Sequence, residues 1–164
     1  MTLPLLRFYE GTGTDDRGRR LEDVWHFSDE QLEHVHDYIQ WLFPLTERSA
    51  FNPGAPLVDE ATIQKFRTDA TLRSNLARSY ERMREFYRDM QWVTPGNHNY
   101  LRLTRILKSL TLLGLGHRAA DLFAWLEGVY AKHEDTIGPR TLAFWRAAAA
   151  AAQGADPSSL RSSG

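Results

Sequence analysis

The fold that this sequence predicts is built around one stretch, His36-Asp37-Tyr38-Ile39-Gln40-Trp41-Leu42-Phe43-Pro44. Upstream, Ser28 and Gln31 have the spacing of a capping box, in which the serine hydroxyl accepts an amide and the glutamine side chain reaches back. Downstream, Pro44 disfavours helical geometry at the residue before it. These signals predict one helix over residues 29–43, with a core stripe formed by Leu32, Val35, Ile39, Leu42 and Phe43.

Apolar residues repeat at helical spacing through most of the remaining chain. They predict a short helix that Asp59 caps, a long helix ending near Trp92, and helices over residues 98–113 and 122–129, with Gly114 as a left-handed C-cap of the helix over 98–113. A further helix is expected to open at Pro139, because proline is tolerated in the first helical turn. Since no strand-like alternation occurs, the pattern predicts a single all-α domain of about six helices, in bundle or orthogonal packing.

The domain organisation is predicted from composition. Residues 1–27 are expected to form an N-terminal segment that packs on the domain, with an exposed glycine-rich loop over 10–20. Residues 28–153 are the expected helical core, and residues 154–164 a disordered tail rich in serine. A chain of 164 residues buries enough surface to fold without disulfides or a structural metal.

Composition also excludes several classes of protein. The chain has no cysteine, which rules out zinc ribbons, iron–sulfur sites and cysteine nucleophiles, and suits a reducing compartment. The N-terminus lacks a basic leader, and no apolar run approaches the roughly 20 residues that span a bilayer, so a cytoplasmic location is expected. A net charge of −1 and the lack of a recognition motif disfavour nucleic acid as a partner. No phosphate-binding glycine loop or other cofactor motif occurs, so no cofactor is expected.

One face of the predicted 29–43 helix is not plainly polar. It carries His34, Asp37, Tyr38 and Trp41, and a large aromatic side chain there predicts a second protein layer or a ligand. A carboxylate beside aromatic rings suits the amine of a peptide. The hypothesis of a ligand site comprises Trp25, His36, Asp37, Tyr38, Gln40 and Trp41.

Two alternatives to this site need no ligand there. In the first, His36 and Gln40 are hydrogen-bonded core residues, and Trp41 packs beneath residues 8–27. In the second, the chain is an interaction scaffold, which predicts a large exposed apolar patch.

A metal site is a weaker hypothesis. Adjacent His36 and Asp37 resemble the pair that holds a divalent ion in HD-type phosphohydrolases, which also need another histidine and a distant aspartate. The chain offers only His26 or His98 with Asp121, and six histidines suffice to produce such a set by chance. No metal ligand and no catalytic residue is therefore assigned.

Residues 91–120 carry basic side chains and no acidic one, which favours an anion site. The start of the helix over 98–113 offers amides and a dipole to an anion, and arginine adds a bidentate fork. The anion-binding hypothesis comprises Asn97, His98, Arg102, Arg105 and Lys108. With His36, this region is an alternative site for a small anion or a phosphate ester, with metal-assisted hydrolysis as its enzymatic form. The other explanation is that these arginines pair with acids from the first half of the chain.

These residues resemble the conserved domain of the opioid growth factor receptor family. The most recognisable piece is Leu32-Glu33 followed by the run from His36 to Leu45. Other pieces follow in order along residues 8–150: Phe8-Tyr9, Gly18-Arg19, Asn52-Pro53, Ala55-Pro56, Phe66-Arg67, the run from Thr104 to Leu110, and Leu113-Gly114-Leu115. The chain departs from the family pattern at Arg88, where glycine is common.

The resemblance implies an all-α, non-enzymatic domain that binds a ligand, a peptide or a partner protein. In animal members the domain is described as binding the pentapeptide met-enkephalin and restraining cell proliferation from a membrane-associated, perinuclear and nuclear location. A met-enkephalin-like peptide is therefore the partner that the resemblance implies, in a stand-alone form of the domain.

Overall fold

The structure is a computed structural model that describes residues 1–150. Across these residues the backbone forms helices and connecting turns without a β-strand, so the all-α prediction is confirmed. The tail predicted over 154–164 lies outside the described residues. The chain divides into two compact units, the first over Met1–Trp92 and the second beginning at Val93.

The first unit contains the helices α1 (Leu3–Glu10), α2 (Leu21–Trp25), α3 (Asp29–His34), α4 (Ile39–Leu42), α5 (Glu60–Thr68) and α6 (Ala70–Asp89). Both α1 and α5 pack against α6, the longest helix among the described residues. Periodicity predicts one buried stripe of Leu72, Leu76, Tyr80, Met83, Tyr87 and Met90; the first five are buried in α6, whereas Met90 follows the helix and is half-buried. The predicted cap of α5 is confirmed, since the Asp59 carboxylate accepts the amide of Thr62 at 2.8 Å.

Helix α1 was not among the predicted elements. Its side chains Leu5, Phe8 and Tyr9 are fully buried, so the segment before the glycine-rich loop belongs to the core. The segment is only eight residues long, so a helical stripe has little more than two turns in which to repeat. Its helix signals are instead Pro4 in the first turn and Gly11, which ends the helix in the left-handed conformation at φ 84°.

The prediction of one continuous helix over 29–43 is wrong. The capping box at Ser28 is confirmed, but α3 ends at His34. Val35 then adopts an extended backbone with φ −87° and ψ 126°, and α4 begins only at Ile39. The helical face that the sequence analysis assigned to residues 34–41 therefore does not exist.

A side chain accounts for this break. The Tyr38 hydroxyl donates a hydrogen bond of 2.6 Å to the carbonyl of Leu32, which in a continuous helix would accept a backbone amide. The Tyr38 ring is fully buried and packs edge-on against Phe27. Burial of this aromatic ring and its hydroxyl bond offset the loss of a helical turn.

The second unit contains α7 (Asn99–Leu112), α8 (Gly116–Lys132), α9 (Glu134–Ile137) and α10 (Pro139–Ala150). Helices α7, α8 and α10 pack against one another. The three predicted helices are confirmed, while the short α9 was not predicted. Gly114 has the left-handed conformation expected of it, at φ 97°. The buried Trp145 donates from its indole to the carbonyl of Tyr100 at 3.1 Å, which joins α10 to α7.

No helix within residues 1–150 is both long enough and apolar enough to cross a bilayer. The compartment stays a prediction.

Candidate ligand-binding face

The loop between α1 and α2, residues 11–20, is ordered from within by Asp15. The Asp15 side chain is buried, and one of its carboxylate oxygens accepts the backbone amides of Arg17 and Arg19, each at 2.9 Å. The other oxygen accepts Nε of Arg19 at 2.7 Å. The amide of Asp15 in turn donates to the carbonyl of Arg19 at 2.8 Å. This loop was expected to be exposed, and Gly11, Gly18 and Arg17 are exposed while Asp15 is buried.

Asp37 lies beside this loop and forms ion pairs with two of its arginines. Arg19 Nη2 lies 2.9 Å from one carboxylate oxygen of Asp37, and Arg17 Nε lies 3.1 Å from the other. The two partners differ in exposure, because the Arg17 side chain is 68% exposed and that of Arg19 only 17%. Burial lowers the pKa of Arg19, but hydrogen bonds and charge attraction from Asp15 and Asp37 raise it overall. Arg19 is thus a fixed cation, while Arg17 is held loosely.

Phe27 provides the aromatic surface next to this ion pair. The guanidinium carbon of Arg19 lies 5.9 Å from the centre of the half-buried Phe27 ring. The Phe27 ring also packs edge-on against the buried ring of Tyr38. A cation over a ring at this distance is weakly attractive.

Arg82 of α6 joins the same surface from the other side. Its Nη2 donates to the carbonyl of Phe27 at 2.8 Å and pairs with the carboxylate of Asp29 at 2.9 Å. Its Nε donates to the carbonyl of Trp25 at 3.2 Å. Arg82 therefore satisfies backbone carbonyls at the end of α2, where a helix lacks internal donors.

Trp25 is half-buried, and its indole is held from α6. Its Nε1 donates to the Ser79 hydroxyl at 2.9 Å, and that hydroxyl lies 3.0 Å from the hydroxyl of Tyr9. The Tyr9 hydroxyl donates to the carbonyl of Leu42. On the ring itself, the guanidinium carbon of Arg78 lies 4.2 Å from the ring centre. The indole plane is thus fixed by a buried chain of hydrogen bonds.

These groups make up one charged and aromatic surface, which we call the α2–α3 face: Arg17, Arg19, Trp25, Phe27, Asp29, Asp37, Arg78 and Arg82. Its contacts run without a gap from Asp37 through Arg19 to Phe27, and from there through Arg82 to Trp25 and Arg78.

Two of the predicted ligand residues, Trp25 and Asp37, lie on this face. Tyr38 and Trp41 do not, because the inward turn between α3 and α4 buries both. The Trp41 ring packs edge-on against Phe8 at 5.4 Å between ring centres, as the core alternative predicts. Trp41 Nε1 is buried with no acceptor among residues 1–150.

His36 and Gln40 also differ from expectation. They were placed one turn apart on a helix edge, but without the continuous helix His36 is exposed in the turn and Gln40 is buried. The Asn52 amide nitrogen lies 3.4 Å from Oε1 of Gln40 and 3.3 Å from the carbonyl of Asp37. The core alternative thus holds for Gln40 and is wrong for His36.

The predicted anion residues lie in the second unit, around the start of α7. The side-chain oxygen of Asn97 already binds this helix start, since it accepts the amide of Asn99 at 2.9 Å. His98 is exposed, whereas Arg102 is 6% exposed with its Nη1 3.5 Å from the Asn99 side chain. The remaining two, Arg105 and Lys108, are half-buried. The anion site stays a prediction, with its helix start already capped by the protein.

The described residues offer less support for the metal and scaffold hypotheses. In the part of the chain that the structure describes, no three histidine or acidic side chains come together as metal ligands. The large apolar side chains exposed there are Met1, Leu3, Phe51, Leu101 and Phe144. The scaffold stays a prediction.

Sequence reasoning missed most of the α2–α3 face. The buried role of Asp15 carries no local signal, because a run of charges among glycines is typical of a solvated loop. Arg78 and Arg82 lie more than 50 residues from their partners in α2 and α3, so no spacing rule relates them. A partial signal was Gly18-Arg19, one of the pieces of the family resemblance.

Comparison with known proteins decides the family. The family model described as the opioid growth factor receptor (OGFr) conserved region matches residues 6–93 and 88–150. The chain belongs to the opioid growth factor receptor family. The two matched segments meet at residues 88–93, and the two compact units also divide there.

Curated relatives from this family share about a third of their aligned residues with the chain. The opioid growth factor receptor of Rattus norvegicus is 34% identical over an alignment of 140 residues that covers 71% of this chain and 24% of the relative. Opioid growth factor receptor-like protein 1 of Rattus norvegicus is 35% identical over an alignment of 131 residues that covers 66% of this chain and 28% of the relative. The Homo sapiens opioid growth factor receptor is 36% identical over an alignment of 124 residues that covers 62% of this chain and 18% of the relative. The match thus spans between 18% and 28% of the length of these family members, and no solved structure matches the chain.

Proposed function

We propose that this domain is a non-enzymatic peptide-binding protein whose ligand docks on the α2–α3 face, with the ammonium group of the peptide at Asp37. The observation that carries the proposal is the unequal pairing of Asp37. Its side chain is 32% exposed and has one buried and one exposed arginine partner.

The exposed partner is the exchangeable one. An ion pair as exposed as Arg17–Asp37 contributes only about 0–1 kcal/mol, so a ligand ammonium can replace Arg17 at little cost. Arg19 stays in place during this exchange, because Asp15 holds it through Nε. Asp37 therefore keeps a fixed orientation toward an incoming cation, which lowers the entropy that binding must overcome.

Half-exposed aromatic rings lie along the same face. Phe27 and Trp25 offer apolar surface beside charged groups, which is the composition that binding sites for small peptides use. Tyr38 and Trp41, in this account, support the turn that presents Asp37 and do not contact the ligand. The relatives are named as receptors for an opioid growth factor, which supports a peptide as the ligand class. Met-enkephalin is accordingly the first ligand to test.

Isothermal titration calorimetry with met-enkephalin tests the proposal on three proteins. We expect the wild type to bind, and Asp37→Asn to bind about tenfold more weakly because a charge-assisted hydrogen bond is lost. Asp16→Asn removes the same charge from an exposed position in the neighbouring loop and should bind like the wild type. Absence of heat with the wild type would refute the peptide ligand, and equal affinity for Asp37→Asn would refute the role of Asp37.

A further inference from the structure

We infer that Arg78 and Arg82, with Trp25 between them, bind the carboxylate at the other end of the same peptide. The inference rests on the proposed function and names the second charged group of the ligand. It makes the α2–α3 face a site for short peptides with two free termini.

The position of Arg78 suits it to bind an anion. Its guanidinium carbon lies over the indole of Trp25, 4.2 Å from the ring centre, while the side chain as a whole is exposed. Within residues 1–150 no carboxylate pairs with it, in contrast to Arg17, Arg19 and Arg82. A guanidinium held over an aromatic ring keeps N–H donors for a further partner, and two of them can bind a carboxylate in bidentate fashion.

The platform beneath Arg78 is rigid. The indole of Trp25 is fixed through Nε1 by Ser79, which is fully buried one residue after Arg78 on α6. Ser79 is fixed in turn by the hydroxyl of Tyr9. Arg78 therefore rests on a ring that cannot turn away, so part of the ordering cost of binding is already met.

Arg82 supplies a second donor one helical turn further along. Its Nε and Nη2 are engaged by the carbonyls of Trp25 and Phe27 and by Asp29. Its Nη1 is buried and has no acceptor in the described part of the chain. A buried donor without a partner costs free energy, and a small rotation of the guanidinium that brings Nη1 to an oxygen of a bound carboxylate would remove that cost. Both arginines converge on Trp25, one on its ring and one on its carbonyl.

Local charge selects the kind of anion. Asp29 neutralises one of the two arginines through its pair with Arg82, so the group formed with Arg78 carries one net positive charge. That charge matches a carboxylate, which is a monoanion, better than a phosphate dianion. Asp37 lies at the opposite end of the chain of contacts, so the face is polarised to receive an amine at one end and a carboxylate at the other.

The test compares met-enkephalin with its C-terminal amide by calorimetry. We expect the amide to bind the wild type about tenfold more weakly, as expected for loss of one charge-assisted contact. Arg78→Gln should weaken binding of the acid by a similar factor and abolish the difference between the two peptides. The matched control is Arg88→Gln, which removes the same charge from an exposed position on the same helix and should preserve the difference.

Each remaining outcome counts against a defined part of the inference. Equal affinity for acid and amide overturns the inference and leaves the proposed function standing, whereas failure of both to bind refutes both. A preference for the acid that survives in Arg78→Gln overturns the assignment of Arg78. Displacement of the peptide by inorganic phosphate, with no displacement by acetate at the same concentration, overturns the choice of a carboxylate.

Discussion

The carboxylate of Asp15 lies inside the 11–20 loop and is buried from solvent. A buried carboxylate is tolerated only when hydrogen bonds replace its hydration, and here two backbone amides and Nε of Arg19 do so. The same three contacts set the backbone path of the loop and the position of Arg19 beside Asp37. One residue thus determines both the local structure and the orientation of the proposed acceptor.

Replacing Asp15 by asparagine keeps the size of the side chain and removes the charge that faces Arg19. We expect the free energy of unfolding to fall by about 2–3 kcal/mol, because the buried acceptor of a charged donor is lost. Urea denaturation measures this change. Asp16→Asn, at the neighbouring exposed position, should unfold like the wild type. A similar stability for both variants would contradict the structural role of Asp15.

At the scale of elements, the capping of α5 by Asp59 gives a dependence of stability on pH. Hydrogen bonds from the side chain and the backbone amide of Thr62, followed by the N-terminal ammonium 3.0 Å away, lower the pKa of Asp59 from an ordinary value of 3.8 to about 2. Because the folded state binds this proton less readily than the unfolded state, the stabilisation is fully present above pH 4. It is lost as the pH falls from about 4 through about 2.

The prediction concerns the difference in unfolding free energy between the wild type and Asp59→Ala. We expect this difference to be constant from pH 7 to pH 5 and to shrink progressively between pH 4 and pH 2. Urea denaturation of both proteins at matched pH values measures it. A difference that stays the same at pH 2.5 would show that the charge of Asp59 does not contribute.

The elements also show where local sequence signals suffice. Asp59, Gly114 and Pro139 mark helix ends through rules that involve only neighbouring residues, and each was predicted from the sequence. The break after α3 depends instead on the Tyr38 hydroxyl replacing a backbone amide at the Leu32 carbonyl. Apolar periodicity continues through that break, so it predicts the buried residues while missing the turn that exposes Asp37.

At the scale of the molecule, Tyr9 links three helices of the first unit. Its hydroxyl contacts the carbonyl of Leu42 at the end of α4 and the hydroxyl of Ser79 on α6, while its own backbone belongs to α1. The amide of Asn75 on α6 donates to the Tyr9 carbonyl at 2.6 Å. Burial raises the pKa of Tyr9, so its hydroxyl stays protonated and available as a donor.

We expect Tyr9→Phe to lower the free energy of unfolding by about 1–3 kcal/mol, because the Leu42 carbonyl loses its buried donor and the Ser79 hydroxyl keeps only its contact with Trp25. Denaturation in urea, followed by circular dichroism, gives this value. Tyr130→Phe is the matched control, since Tyr130 is half-buried in the second unit and its hydroxyl has no hydrogen bond among the described residues. An effect of equal size in both variants would contradict the linking role of Tyr9.

Contacts between distant parts of the sequence explain why the candidate site was predicted only in part. Asp37 and Trp25 were identified because a carboxylate and an aromatic ring have recognisable chemistry by themselves. Their partners Arg19, Arg78 and Arg82 could not be identified from the sequence, because only the tertiary structure brings α6 against α2 and orders the loop before α2. Family membership covers the whole domain, but it does not identify which residues contact a ligand.

The most direct test of the central claim, that Asp37 receives the ammonium group of a peptide, is a calorimetric cycle. It measures the affinities of met-enkephalin and its N-acetyl form for the wild type and for Asp37→Asn. If the ammonium group pairs with Asp37, acetylation should weaken binding to the wild type about tenfold and change binding to Asp37→Asn by less than about twofold. An equal loss on acetylation in both proteins would show that the ammonium group binds elsewhere and would contradict the account.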